Sequence, residues 1–176
     1  MDNKAFTLLE ILVTIFIITI GLLATLAAID KTLRITSNYS KKLSALALAQ
    51  EGVEIVRNIR DSNFIEEQRG SPEIPWNRGF SVTGEYEADY TYTYQDLELS
   101  SYTGRYLKTD NQGFYFYSSS PDYPESVFQR KIIINEIDPL NPDPNGDSLE
   151  VKVEVYWPGE DVIKTTTVNE YLYNWQ

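Results

Sequence analysis

The chain has 176 residues, with 15 Lys and Arg against 26 Asp and Glu, a formal charge of -11. That length holds one domain plus an appendage, and the acidic excess argues against a nucleic-acid partner, because binding a phosphate backbone relies on neutralising cations. With no Cys and no His there is no disulfide, no Cys/His zinc site, no thiol nucleophile and no imidazole base. Carboxylate pairs, Lys or Tyr could still carry catalysis, but acids on an acidic surface are ordinarily solvated charge. No paired-acid motif or Gly-rich phosphate loop stands in the sequence, so no catalysis and no cofactor are assigned.

The composition is divided along the chain. Residues 1–60 carry seven basic and five acidic side chains and no Pro, which leaves a charge of -13 on the remainder, where twelve of the 13 Tyr and all three Trp also lie. An α+β fold is predicted: a long N-terminal helix, membrane-spanning in its first half and amphipathic in its second, packed on a C-terminal antiparallel β-sheet head.

Ile11 to Ile29 is a run of nineteen uncharged residues, about 28 Å long as a helix and close to the ~30 Å of a bilayer core. A buried core helix is the alternative, but an all-round apolar helix needs protein on every side, which so small a head hardly supplies. A cleaved secretory signal is a second alternative, with Lys4 as its charged region and Thr25-Leu26-Ala27 as its cleavage site. Against it stand the length of the run, beyond the ~7 to 15 residues of such a core, and Glu10 at its leading edge. Two explanations of that carboxylate stay open. Either it reaches back to water from the helix end, or it pairs with a cation on a neighbouring chain, such as a new α-amino group one turn earlier at Phe6.

Lys4-Ala5-Phe6-Thr7-Leu8-Leu9-Glu10, running directly into the apolar span, resembles the class III signal of type IV pilins and type II secretion pseudopilins. The resemblance implies that residues 1–5 are a leader ending at Ala5, where this family usually has Gly. It further implies that Phe6 is the N-methylated first residue of the mature chain and that Phe6 and Glu10 direct subunit assembly. The implied partners are a prepilin leader peptidase/methylase, other pilin or pseudopilin subunits, an inner-membrane assembly platform, and the lipid bilayer before assembly. Major pilins commonly carry Gly and Pro in the second half of the span; here Thr19 and Ala27 stand at the matching places and only Gly21 remains, so the chain resembles minor pilins of the PilV type. The expected place is a single inner-membrane pass with an extracytoplasmic head, then a surface or periplasmic filament. Lys31, Arg34, Lys41 and Lys42 beyond the span would by charge alone keep the head in the cytoplasm, but large domains translocate with little regard to flanking charge. A pseudopilin of a secretion or DNA-uptake machine, or a membrane-anchored adhesin or binding protein, are the other functions expected of such a chain.

The predicted segments are the leader over 1–5, the span over 6–30, an amphipathic continuation over 31–62, a connector over 63–79 and a head over 80–176. In the continuation, Gln50, Glu51, Glu54, Arg57, Asn58 and Asp61 form one polar stripe, leaving Leu46, Ala49, Val53, Val56 and Ile59 for an apolar partner surface. Gly52 within it predicts a close contact or a bend. The connector contains Gly70, Pro72, Pro75 and Trp76.

In the head, Tyr90, Tyr92 and Tyr94 alternate with Thr91 and Thr93 as a strand would, and Phe128 to Ile137 is rich in β-branched residues. Leu149 to Val155 alternates apolar and charged residues, and Val155 to Val168 reads as a final hairpin turning over Pro158-Gly159-Glu160-Asp161. Asp143, Asn145, Asp147 and Glu154 keep positions 1, 3, 5 and 12 of a calcium loop, but Ser148 replaces its turn Gly and Glu154 falls in a strand. A Pro-rich turn is the expected reading there, and no metal site is assigned.

Overall fold

The structure is a computed structural model that describes residues 7–70, 74–80, 83–92, 99–137 and 148–174. It has one long helix followed by an antiparallel five-stranded sheet, an α+β fold. By its internal contacts the chain forms two units, Met1–Ser40 and Lys41–Gln176.

Helix α1 (Leu8–Gln68) is unbroken, as a stretch without Pro permits, and it continues six residues beyond the predicted 62. Its part in the second unit buries Ala45, Leu48, Ala49, Gly52, Val53, Ile55, Val56, Ile59 and Asn63. Of the predicted apolar face, Ala49, Val53, Val56 and Ile59 are buried, whereas Leu46 is 39% exposed. The buried face also takes in Ala45, Leu48, Gly52 and Ile55, so it is turned by about half a residue from the predicted one. Asn63 ends the packed region, its Nδ2 donating to the carbonyls of Trp76 at 3.1 Å and Arg78 at 2.9 Å. Those two bonds satisfy a turn that follows the helix and hold it against α1.

The sheet is built from β1 (Gly84–Glu87), β2 (Ser100–Ser101), β5 (Gln129–Glu136), β6 (Ser148–Pro158) and β7 (Ile163–Tyr173), in the order β2-β1-β5-β6-β7. Strands β3 (Lys108–Thr109) and β4 (Tyr115–Phe116) make a separate two-stranded pair. In β6, Leu149, Val151, Val153, Val155 and Trp157 are buried on one face while their neighbours are not, the period-two pattern of a half-covered strand. Ile132 and Ile134 of β5 join them. Each such side chain contributes about 1.5–3 kcal/mol when fully buried, so the face shared with α1 dominates the head's stability.

The predicted strand over Tyr90 to Tyr94 is not formed in its described part: Tyr90 and Thr91 lie in a turn, and Thr93 and Tyr94 lie outside the described residues. The Asp89 carboxylate accepts the Thr91 N–H at 2.9 Å and the Thr91 hydroxyl at 2.6 Å. This local side-chain turn overrides the strand preference of Tyr and Thr.

Candidate functional site

The first unit presents the features that the assembly reading needs. Thr7 begins α1: its hydroxyl accepts the Glu10 N–H at 3.3 Å, and its carbonyl accepts the same N–H at 3.1 Å and that of Ile11 at 3.3 Å. This is an N-cap, and Thr7-Leu8-Leu9-Glu10 has the spacing of a capping box. That spacing stands in the sequence beside the Phe6 and Glu10 pattern. Glu10 itself is exposed in the first turn, where the helix dipole favours an anion. Among the described residues its carboxylate has no hydrogen-bond or ionic partner. Ala5 and Phe6, the expected cleavage and methylation positions, lie outside the described residues.

Beyond Glu10 the helix is long and apolar enough to cross a membrane, and its apolar window is uncovered by the described chain. Leu9, Phe16, Ile17, Leu23 and Leu26 are all more than half exposed. The threonines within it donate to the carbonyl one turn earlier: Thr14 to Glu10 and Thr19 to Ile15 at 2.7 Å, and Thr25 to Gly21 and Thr32 to Ala28 at 2.8 Å. Each hydroxyl is thereby satisfied inside its own helix, the condition for placing it in a medium without water. At about 100° per residue, Thr7, Glu10, Thr14, Gly21, Thr25, Ala28 and Thr32 share roughly 60° of arc. The carboxylate therefore heads a narrow file of small side chains, along which a second helix can approach closely. Past the span, Arg34 pairs with Asp30 at 3.0 Å in water-exposed surroundings.

Several of the head's buried charged groups pair with one another, although Arg130 Nε, Asn63 Oδ1 and Trp157 Nε1 are buried without a hydrogen-bond partner among the described residues. Arg130 is fully buried; it donates to the carbonyls of Leu48, at 3.0 Å, and Ala88, and lies 3.3 Å from the Glu51 carboxylate. It thus joins the helix, β5 and the segment after β1. Gly52 faces the same place, since a Cβ there would lie 2.8 Å from Val153 Cγ1 and 3.2 Å from Arg130 Cδ; the glycine serves a close contact between helix and sheet. Glu87, also buried, accepts from Arg105 Nε at 2.8 Å and from Thr103.

A hollow of about 320 Å³ is lined by Arg105, Lys108, Tyr117, Ser118 and Glu125 among others. Its cations are occupied, Arg105 by Glu87 and Lys108 by the Ser120 carbonyl at 2.6 Å. On the open side of the sheet, Lys131 lies 2.8 Å from Glu85, beneath the rings of Tyr102 and Tyr156. The hydrogen bond to Glu85 raises its pKa against the effect of burial. Burial, followed by the hydrogen bond to Glu154, pushes the Tyr156 phenol up to about 12. These shifts come from burial and hydrogen bonding on a sheet surface and poise no group for proton transfer near neutrality. Of the calcium-loop positions, Asp143, Asn145 and Asp147 lie outside the described residues. Glu154 stands in β6 with its carboxylate held by Lys152 at 2.7 Å and by Tyr156. Among the described residues no group of three His, Cys, Asp or Glu is placed to hold a metal ion.

No curated protein and no solved structure matches the chain. Residues 1–26 match the family described as the prokaryotic N-terminal methylation motif, so that Glu10 and the start of the apolar helix behind it, as far as residue 26, belong to the signal carried by type IV pilins and pseudopilins.

Proposed function

We propose that this protein is a minor pilin, a structural subunit of a type IV pilus. A leader peptidase removes residues 1–5 and methylates the amino group of Phe6. The apolar helix holds the subunit in the inner membrane with its head outside the cytoplasm, and an assembly platform then transfers it into the fibre among other pilin subunits. The observation that carries this reading is Glu10, an exposed carboxylate without a partner in the described chain at the mouth of an apolar helix. A lone carboxylate is costly in lipid, and an amino terminus on the neighbouring subunit neutralises it. The file of small side chains that begins at Glu10 supports the same reading, because close helix contact in an apolar medium depends on such residues. Extraction from lipid into a helical bundle then keeps the same apolar surface away from water throughout.

Mass spectrometry of the protein purified from its native cells tests the first step. A mature N-terminus at Phe6 carrying one methyl group is expected; retention of residues 1–5 in functional protein overturns the proposal. Glu10→Val tests the second. The variant is expected to insert normally, since the span becomes more apolar. Its incorporation into fibres is expected to fall at least about tenfold, because the partner's ammonium is left uncompensated at a cost of about 3 kcal/mol or more. Fibre fractions and membrane fractions compared by immunoblot give both quantities.

A further inference from the structure

The sheet has two unlike edges. One is β2, two residues long; the other is β7, eleven residues long, and among the described strands β7 pairs with β6 alone. Long open edges are ordinarily blunted by Pro, a bulge or a surplus of one charge. Strand β7 contains no Pro, its register with β6 runs without a bulge from Pro158↔Ile163 to Ser148↔Tyr173, and its only charges are Lys164 and Glu170.

The hairpin fixes which main-chain groups face outward. Gly159 N–H donates to the Val162 carbonyl at 2.9 Å, so 159 and 162 form a hydrogen-bonded pair, and hydrogen-bonded pairs alternate from there along the ladder. The N–H and C=O of Lys164, Thr166, Val168 and Glu170 then point to β6. Those of Ile163, Thr165, Thr167, Asn169 and Tyr171 point to the open edge. The side chains divide in the same alternation: Thr166 and Val168 stand opposite the buried Val155 and Val153, on the face covered by α1, whereas Ile163 and Tyr171 are 73% and 50% exposed on the other face.

We propose that this edge pairs, antiparallel, with the β7 edge of a second copy of the chain, about a two-fold axis at Thr167. The sequence of the strand complements itself about that residue. Lys164 falls opposite the second copy's Glu170, and Glu170 opposite its Lys164, in the pairs where side chains stand closest. Within its own chain Glu170 accepts from Arg57 Nη2 through Oε1 at 2.9 Å, which fixes the carboxylate and leaves Oε2 for the lysine. Thr165 meets Asn169, Ile163 meets Tyr171 and Thr167 meets its own copy, all at positions with outward main-chain groups. Nine residues on each side form roughly ten main-chain hydrogen bonds in this register. A shift of two residues in either direction separates both charge pairs, so the register is selected by charge as well as by the main chain. The arrangement uses neither Phe6 nor Glu10 and is independent of the pilin reading.

The chain has no Cys, which makes single-cysteine variants of the full-length protein specific probes. Under mild oxidation in membranes, Thr167→Cys is expected to form a disulfide-linked dimer, because residues paired at the axis lie about 5.5 Å apart between Cα atoms, within disulfide reach. Thr165→Cys is expected to give none, since its two copies are separated by about 14 Å along the strands. Adding Lys164→Glu to the Thr167→Cys variant is expected to lower the dimer yield roughly tenfold, as like charges then oppose at two symmetric places. Sedimentation of the unsubstituted chain in detergent micelles, dimeric and made monomeric by Lys164→Glu, provides a reading that involves no cysteine. A monomer by sedimentation, equal cross-linking at 165 and 167, or a Thr167→Cys product joined to a different protein each overturns the proposal.

Discussion

Gly52→Leu is expected to lower the stability of the head by about 3 kcal/mol or more, a fall of about 6–12 °C in Tm for a chain of this size. Two opposing effects act at the position. A glycine in a helix interior is about 1 kcal/mol less favourable than alanine, so any side chain gains on the helix side. Against that gain, a Cβ alone would stand 2.8 Å from Val153 Cγ1 and 3.2 Å from Arg130 Cδ, and Val153 is fully buried. Leucine adds three further carbons with no space to receive them, forcing α1 away from β6 across the largest apolar surface of the head. For Gly52→Ala the same balance predicts a smaller loss of about 1 kcal/mol, the cost of overpacking by one carbon less the helical gain. Thermal unfolding of the full chain in detergent micelles, followed in the near-ultraviolet where the head's aromatic residues report, measures both. An unchanged Tm for Gly52→Leu would mean that helix and sheet do not meet at this residue.

Arg130→Ala is expected to cost about 3–5 kcal/mol, the range for breaking a buried charged network and leaving its space empty. Without the guanidinium, the Ala88 carbonyl loses its donor and Glu51 loses its counter-charge, while the room held by the side chain's stem becomes a cavity. The Leu48 carbonyl suffers least, because it is also the acceptor for the helical N–H four residues on. Arg130→Met separates packing from polarity. It fills the stem's volume but leaves the Ala88 carbonyl unsatisfied, for an expected cost of about 1–3 kcal/mol, and Glu51, with a third of its side chain exposed, recovers water. Equal losses for Met and Ala would place the whole effect in the hydrogen bonds; denaturant unfolding of the three chains side by side distinguishes the cases.

The parts of this fold that could be read from the sequence are those where one physical signal runs for many residues. Nineteen uncharged positions and the absence of Pro define α1, and alternation over Leu149 to Val155 defines β6 and the face it buries. Strands β2, β3 and β4 are two residues each, too short to carry a period; β2 depends on β1, more than ten residues earlier, and β3 and β4 depend on each other across a short turn. At Tyr90 and Thr91 a single neighbouring carboxylate, Asp89, decides the conformation against the local propensity. Arg130 was concealed for another reason: a charged residue at the start of a strand ordinarily faces water, and only the pairing of Arg130 with Val155 shows that it falls on the covered face. Of the site, Glu10 was legible because a carboxylate ahead of an apolar run is costly and rare. The fit of Thr7 as its cap was equally present in the spacing and needed the helix start to be located.

The inequality of the sheet's two margins has a further effect. A protein whose strands are open on both sides can add copies without limit, as fibrillar aggregates do. Among the described strands the far margin is only two residues long, so the proposed joining through β7 would use the one long edge they offer, and growth would stop at a pair. On the proposed pilin reading, polymerisation is then left to the N-terminal helix, and the head can form a main-chain contact without the hazard of uncontrolled stacking.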